Sequence, residues 1–199
     1  MKIILRIISK ISRLLFILIN RKAFGSLESG AYLFSPYRID GAESIFMGSN
    51  SVLQKGGWLY CKGLEGKKAS IMIGNSCVFG YNNHITAICS IKIGDNVLTA
   101  NNVYISDNNH AYEDIGRPIM YQPQVYKGSV EIGTGSWLGE NVCVLGARIG
   151  RNCVIGSNAV VTTDIPDYCV AVGIPAKVIR RYDINIGKWI AVNEDPSNS

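Results

Sequence analysis

The feature that most constrains this chain is a six-residue beat. "MGSNSV" (47–52), "IGNSCV" (73–78), "IGDNVL" (93–98), "TANNVY" (99–104), "IGTGSW" (132–137), "LGENVC" (138–143), "IGRNCV" (149–154) and "IGSNAV" (155–160) share one pattern. An aliphatic residue usually comes first, Gly or another small residue follows, and a small or β-branched residue sits fifth. A short fixed period implies a solenoid, in which each unit buries its apolar side chain only by stacking on its neighbours. Six residues are too few for a helix pair or a leucine-rich unit. They suit one short strand and a tight turn, with the first residue pointing inward and the glycine relieving the turn. Three such units close one triangular coil, and the beat runs from about residue 39.

Between Ile105 and Ile132 the beat stops. Solenoids tolerate insertions at their corners, where they project as loops that commonly carry function. One of only two histidines in the protein, His110 of "SDNNH", stands in this interruption.

Charge and cysteine usage exclude several classes. The net charge of +5 comes from residues 1–22, where Lys2, Arg6, Lys10, Arg13, Arg21 and Lys22 meet no acid. The remaining chain carries slightly more acid than base, so no basic stripe marks a nucleic-acid groove and no nucleic-acid partner is expected. The six cysteines form no CxxC pair and no zinc spacing. Cys77, Cys153 and Cys169 each follow an aliphatic residue by four, the slot kept for small side chains, and read as reduced core thiols of a cytoplasmic protein.

The segment 1–22 is too interrupted by charge to cross a bilayer, which takes about 20 apolar residues. At helical spacing Lys2, Arg6, Ser9, Lys10, Arg13 and Asn20 share one face and Ile, Leu and Phe cover the rest. This is the pattern of a basic amphipathic arm lying in an anionic membrane interface, which makes the localisation cytoplasmic and peripheral on the inner face. The competing reading is a helix docked on the protein's own body or at a subunit boundary.

The stretch "WLGENVCVLGARIGRNCVIGSNAVVTTDIPDYCVAVGIPAKVIRR" resembles the C-terminal hallmark of the hexapeptide-repeat acetyltransferases, in the branch of sugar O-acetyltransferases and xenobiotic acetyltransferases. The resemblance covers residues 47 to 181. It implies an all-β, left-handed parallel β-helix over 23–181, with an extended active-site loop at 107–131, the N-terminal helical arm, and a short helix or tail at 182–199. It further implies a homotrimer using acetyl-CoA as co-substrate, a carbohydrate acceptor and no metal. "SDNNH" resembles the family's D-x-x-H loop motif, which makes His110 the general base. Many relatives carry a second histidine directly after the aspartate, where this chain has Asn108. "VLGARIG" is one residue shorter than the family's usual corner.

The remaining site residues follow from the same resemblance. Asp107 either fixes the His110 tautomer or caps the loop. Trp137 stands where relatives place a tryptophan beside the acyl-transfer site. Gly139, Ser157, Thr162 and Thr163 match positions along the pantetheine arm, and Lys177 and Arg180 match positions facing the phosphates. Asn83, Asn82 and the adjacent His84 fall in the acceptor-binding stretch, with an asparagine ladder at the turns as the alternative. The acidic residue of sugar-specific relatives is missing from "ITAICS". An O-acetyltransferase of a cell-surface polysaccharide or its lipid-linked precursor is therefore expected. A small free acceptor, such as an antibiotic or soluble sugar, is the runner-up. A γ-type carbonic anhydrase needs three histidines and this chain has two. A non-catalytic β-helix would leave the interrupted repeat without a reason.

Overall fold

The computed structural model describes Ile11 and residues 15–192. The chain winds through three sheets in turn, and each coil adds one parallel strand to each. The first sheet runs through Ser26–Leu27, Ile45–Met47, Ser70–Ile73, Ser90–Ile93, Val130–Ile132 and Arg148–Ile149. The second takes Tyr32–Leu33, Val52–Leu53, Val78–Phe79, Leu98–Thr99, Trp137–Leu138, Val154–Ile155 and Cys169–Val172. The third takes Arg38–Asp40, Trp58–Cys61, His84–Ala87, Tyr104–Ser106, Cys143–Leu145 and Val160–Val161. The result is a left-handed parallel β-helix. In-register pairing stacks like residues into columns, so that Met47, Ile73, Ile93, Ile132 and Ile149 form one buried stripe of the core.

Each slot of the repeat has its own physical cause. The first residue faces the core. The fourth takes the left-handed backbone conformation: Asn50, Ser76, Asn96, Asn102, Asn141, Asn152 and Asn158 all have φ between 49° and 61°. Asparagine tolerates this region better than other side chains bearing a Cβ. The expectation that the second-slot glycine relieves the turn is corrected here. The glycine is needed for a different reason: a Cβ on Gly48 would lie 2.6 Å from the backbone carbonyl of Gly74 in the next coil. The fifth slot points inward and takes compact side chains, Ser51, Cys77, Ser136, Cys153 and Cys169 among them, with Val97, Val103 and Val142 in other coils. Its hydroxyls also bond the next coil, as when Ser51 Oγ donates to the Gly74 carbonyl at 2.7 Å and accepts from Cys77 N at 2.9 Å. All six cysteines are free, and burial pushes the Cys61 thiol up to about 12.

The three corners are not equivalent. The first two keep the six-residue step in every coil, as in Ile73 to Phe79 to Ile85, or Ile132 to Leu138 to Val144. All variation in coil length falls on the third corner, between the third sheet and the first. The long insertion leaves there, and so does the short "VLGARIG" turn, which Gly146 closes at φ 56°.

Where a helix or tail was expected after residue 181, the chain instead forms an antiparallel hairpin. Lys177–Asp183 pairs with Cys169–Val172 on one side and with Lys188–Ala191 on the other, extending the second sheet. Asp183 Oδ1 accepts from Asn185 N and Ile186 N to form the turn, and Tyr182 meets Trp189 edge-on across the strands. At the other end residues 15–20 are helical. Of the amphipathic arm expected over 1–22, residues 1–10 and 12–14 lie outside the described residues.

The fourth slot offers a clean stability test. Ser76 is exposed at φ 56° and its side chain makes no hydrogen bond among the described residues. Ser76→Val should lower the unfolding free energy by about 1 kcal/mol or more, because a β-branched residue is strained there, while Ser76→Asn should be neutral or stabilising. Urea unfolding of the two variants measures it, and equal stability would contradict the turn assignment.

Candidate active site

The projecting loop begins on a buried polar pedestal. Thr86, Ser106, Asp107 and Asn108 are all buried at the third corner. The Asp107 carboxylate is fully enclosed and accepts four hydrogen bonds. They come from Ile88 N at 2.9 Å, Cys89 N and Ser90 N at 2.8 Å each, and Asn108 Nδ2 at 2.9 Å. A buried carboxylate without a cation persists when it is hydrogen-bonded to this extent. Of the two roles open to Asp107, these contacts support the cap: they clamp the loop to the corner of the coil below. No hydrogen bond joins it to His110 among the described residues.

Asn108 fills the position where a second histidine was noted as usual. Its side-chain amide donates to Asp107 and to the Thr86 carbonyl at 3.2 Å, and Ser106 Oγ donates to its backbone carbonyl at 2.7 Å. Sequence reasoning marked Asn108 only as a departure and missed Thr86 and Ser106. Their signal was position, at the end of a strand and directly before the break. Above this base Asn108–His110 pairs antiparallel with Gln124–Tyr126, so the insertion starts as a two-stranded arm and carries His110 on it, exposed. Farther out, the buried amide of Gln122 bonds the carbonyls of Asp114 and Arg117, both at 2.8 Å, and ties the loop tip. The arm returns over Gly146: a Cβ on Gly128 would lie 2.6 Å from the Gly146 carbonyl, so both turns need glycine.

The other expected residues separate into two groups. Thr162 and Thr163 follow Val160–Val161 at the third corner, the corner of the loop, and both are exposed. Trp137 lies on the second sheet, turned outward and 46% exposed, so it is not a core tryptophan. Val154, Val170 and Arg180 continue its row, Lys177 joins the same sheet opposite Val172, and Gly139 and Ser157 sit at the second corner beside it. Within one chain, His110 with Thr162 and Thr163 is at one corner, and Trp137 with the basic pair is on another face.

Of the two readings open to the acceptor stretch, the contacts support the asparagine ladder. Asn83 occupies the fifth slot of "FGYNNH" (79–84) and is fully buried. Its Nδ2 donates to the Gly80 and Ala100 carbonyls at 2.8 and 3.0 Å, and Thr99 Oγ1 donates to its Oδ1 at 3.0 Å. That is a coil-stitching residue, not one facing an acceptor. Asn82 starts an asparagine ladder through Asn102 and Asn141 to Asn158, at 3.3, 3.2 and 3.0 Å. Glu140 braces it through Asn101 and Asn102. His84 stacks flat on Trp58 at 4.1 Å and leans on Tyr104 at 5.0 Å, and burial holds its imidazole below the usual histidine range. A shallow cleft of about 820 Å³ along the first sheet contains none of these residues, and its ion pairs Arg148–Glu131 and Arg151–Asp167 satisfy each other at 2.7 Å.

Comparison with known proteins places this geometry. Residues 70–107 and 129–163 match the family described as the hexapeptide repeat of succinyl-transferase. The galactoside O-acetyltransferase of Escherichia coli K12 is 31% identical over 146 residues, which cover 73% of this chain and 70% of that enzyme. The chain belongs to the hexapeptide-repeat acetyltransferase family. A protein of Mycobacterium tuberculosis named as an acetyltransferase is 41% identical over 137 residues, 67% of this chain and 45% of its own length. WbbJ of Escherichia coli K12, named for O-acetyl transfer in lipopolysaccharide biosynthesis, is 40% identical over 114 residues, 53% of this chain and 58% of its own. The chain thus spans about half the length of these two relatives. The N-acyltransferase AntD from Bacillus cereus, solved with dTDP and 3-hydroxybutyryl-CoA, shares the fold: TM-score 0.69 at 15% identity, covering 84% of this chain and 88% of AntD.

The two roles weighed for Asp107 separate by substitution. In Asp107→Asn an amide NH₂ must face backbone N–H donors, which should cost about 2–3 kcal/mol of stability. Denaturant unfolding reads this directly. Unchanged stability with a fall in kcat would instead assign Asp107 to the imidazole.

Proposed function

We propose that this chain is an acetyl-CoA-dependent O-acetyltransferase that acetylates a hydroxyl of a cell-surface polysaccharide or its lipid-linked sugar precursor. The observation that carries the reading is the exposed histidine on an arm whose base is fixed by a buried, fully hydrogen-bonded pedestal. A side chain held in that way is presented to a ligand and is not required by the fold. The kinship to WbbJ and to galactoside O-acetyltransferase supports sugar hydroxyls as the acceptor class.

In this reading both substrates bind together. His110 takes the proton of the acceptor hydroxyl as its oxygen attacks the thioester carbonyl carbon. The negative charge passes to the carbonyl oxygen, where a backbone N–H is the fitting donor. Collapse of the tetrahedral intermediate breaks the C–S bond, and the imidazolium returns its proton to the departing CoA sulfur. Trp137 walls the reacting atoms from water and offers an aromatic plane to the sugar or pantetheine. Gly139, Ser157, Thr162 and Thr163 line the pantetheine, and Lys177 and Arg180 meet the phosphates. Because these groups fall at different corners of one prism, the working site is completed by a neighbouring copy in a trimer. No acceptor role is assigned to Asn83, whose polar atoms the coil already uses.

His110→Ala should lower kcat by roughly 10²–10⁴-fold. The KM for acetyl-CoA should stay near its original value, since the loop base and the prism are untouched. A variant keeping more than about a third of wild-type kcat at saturating substrate would place proton abstraction elsewhere.

A further inference from the structure

A solenoid must close its ends, and an end facing water alone carries a polar outer surface. Here Phe24 is buried in the core and Phe16 packs against it, with the Phe16 ring edge-on to Tyr32 at 5.4 Å. The helix over 15–20 therefore covers the first-coil end with one stripe of its surface. The opposite stripe is not polar. Leu15, Leu18 and Ile19 are 51%, 74% and 75% exposed, and they recur at i, i+3 and i+4, the spacing of one helical face. The helix leads into Arg21 and Lys22, both exposed and without an acidic partner among the described residues. Six basic residues and no acid occur in the first 22 positions of the sequence.

We propose that this outer stripe seats the protein on an anionic lipid surface, with the first-coil end of the prism toward the bilayer. The chemistry matches: apolar side chains enter the acyl boundary while the surrounding cations meet lipid phosphates. A second copy of the same arm is a poorer occupant, because it brings like charges together without a counter-ion. Seated end-on, the corner that carries the loop stands three coil steps along the axis. The steps run from Arg38–Asp40 through Trp58–Cys61 and His84–Ala87 to Tyr104–Ser106. At the usual strand spacing that is about 14 Å from the first coil. An acceptor carried on a lipid is delivered to that height, while a freely diffusing one gains nothing from the seating. The lipid contact stands on the arm alone; its benefit for the acceptor rests on the proposed acetyl transfer.

The test uses the full chain and co-sedimentation with vesicles of phosphatidylcholine, with and without about 30% phosphatidylglycerol. Wild type should pellet with the anionic vesicles only and be released by about 0.5 M salt. Leu18→Glu with Ile19→Glu should cut the bound fraction by at least ~10-fold, with melting temperature and acetyl transfer to a soluble acceptor unchanged. If the glutamates lower the melting temperature, the same two positions changed to Ser replace them with the same readout. Wild type left in the supernatant, or a double variant that pellets like wild type, overturns the proposal. So does a double variant whose mass falls in light scattering, since the stripe would then hold a second copy. Loss of transfer to the soluble acceptor in wild type would fault the enzymatic reading and leave the lipid result standing.

Discussion

Everything in this molecule depends on how closely one coil's backbone can approach the next. Stacked strands sit about 4.8 Å apart, so at each corner the turn of one coil nearly touches the turn above it. That one distance forbids a Cβ at Gly48, where the Gly74 carbonyl would be 2.6 Å away. The tightness of the same corners forces a left-handed residue at the fourth slot and a compact one at the fifth. Where the fifth residue is polar, as at Ser51, Asn83 and Ser136, it bonds the neighbouring coil and becomes part of the stack. Register then follows without further instruction, because a slipped coil would put side chains where backbone must pass.

One corner is released from this rule. The first and second corners are locked at six residues, and the third absorbs every change in length. An arm of about two dozen residues can leave there without disturbing the core, provided its base is held. Asp107 holds it by drawing together three backbone N–H groups of the coil below, and Asn108 and Ser106 complete the network. The cost of burying a carboxylate is offset by four donors, each bond being to a charged acceptor and so stronger than a neutral one. A rigid base with an exposed histidine above it lets a solenoid carry a projecting side chain while its prism stays uniform.

The coils were legible in the sequence because a strand pointing one aliphatic residue inward every six positions leaves an unmistakable period. The broken beat marked the loop. What failed did so for local reasons. Second-slot glycine was assigned to the turn because glycine commonly serves turns, and the close approach of a neighbouring coil leaves no trace in a single sequence. Asn83 was assigned to the acceptor because it matches the family's acceptor-binding stretch, yet its place in the fifth slot of "FGYNNH" was a readable sign of burial. The C-terminal hairpin escaped notice because "KVIRRYDINIGKWIA" lacks the six-residue period and pairs only with itself and the last coil. The described part of the arm is both a cap and an exposed stripe, which a single amphipathic face could not convey.

Two groups of site residues on different faces of one prism must meet across a boundary between copies if they are to act together. Subunit complementation measures this most directly. His110→Ala and Trp137→Ala chains, each of low activity alone, are co-expressed in equal amounts and purified together, with no sorting of assemblies by composition. If the loop of one copy works against the second sheet of its neighbour, some sites regain both native side chains. Activity should then return to about a quarter of wild type, as random mixing around a closed ring requires. Mixed assemblies no more active than either variant alone would show that each site is built within a single chain.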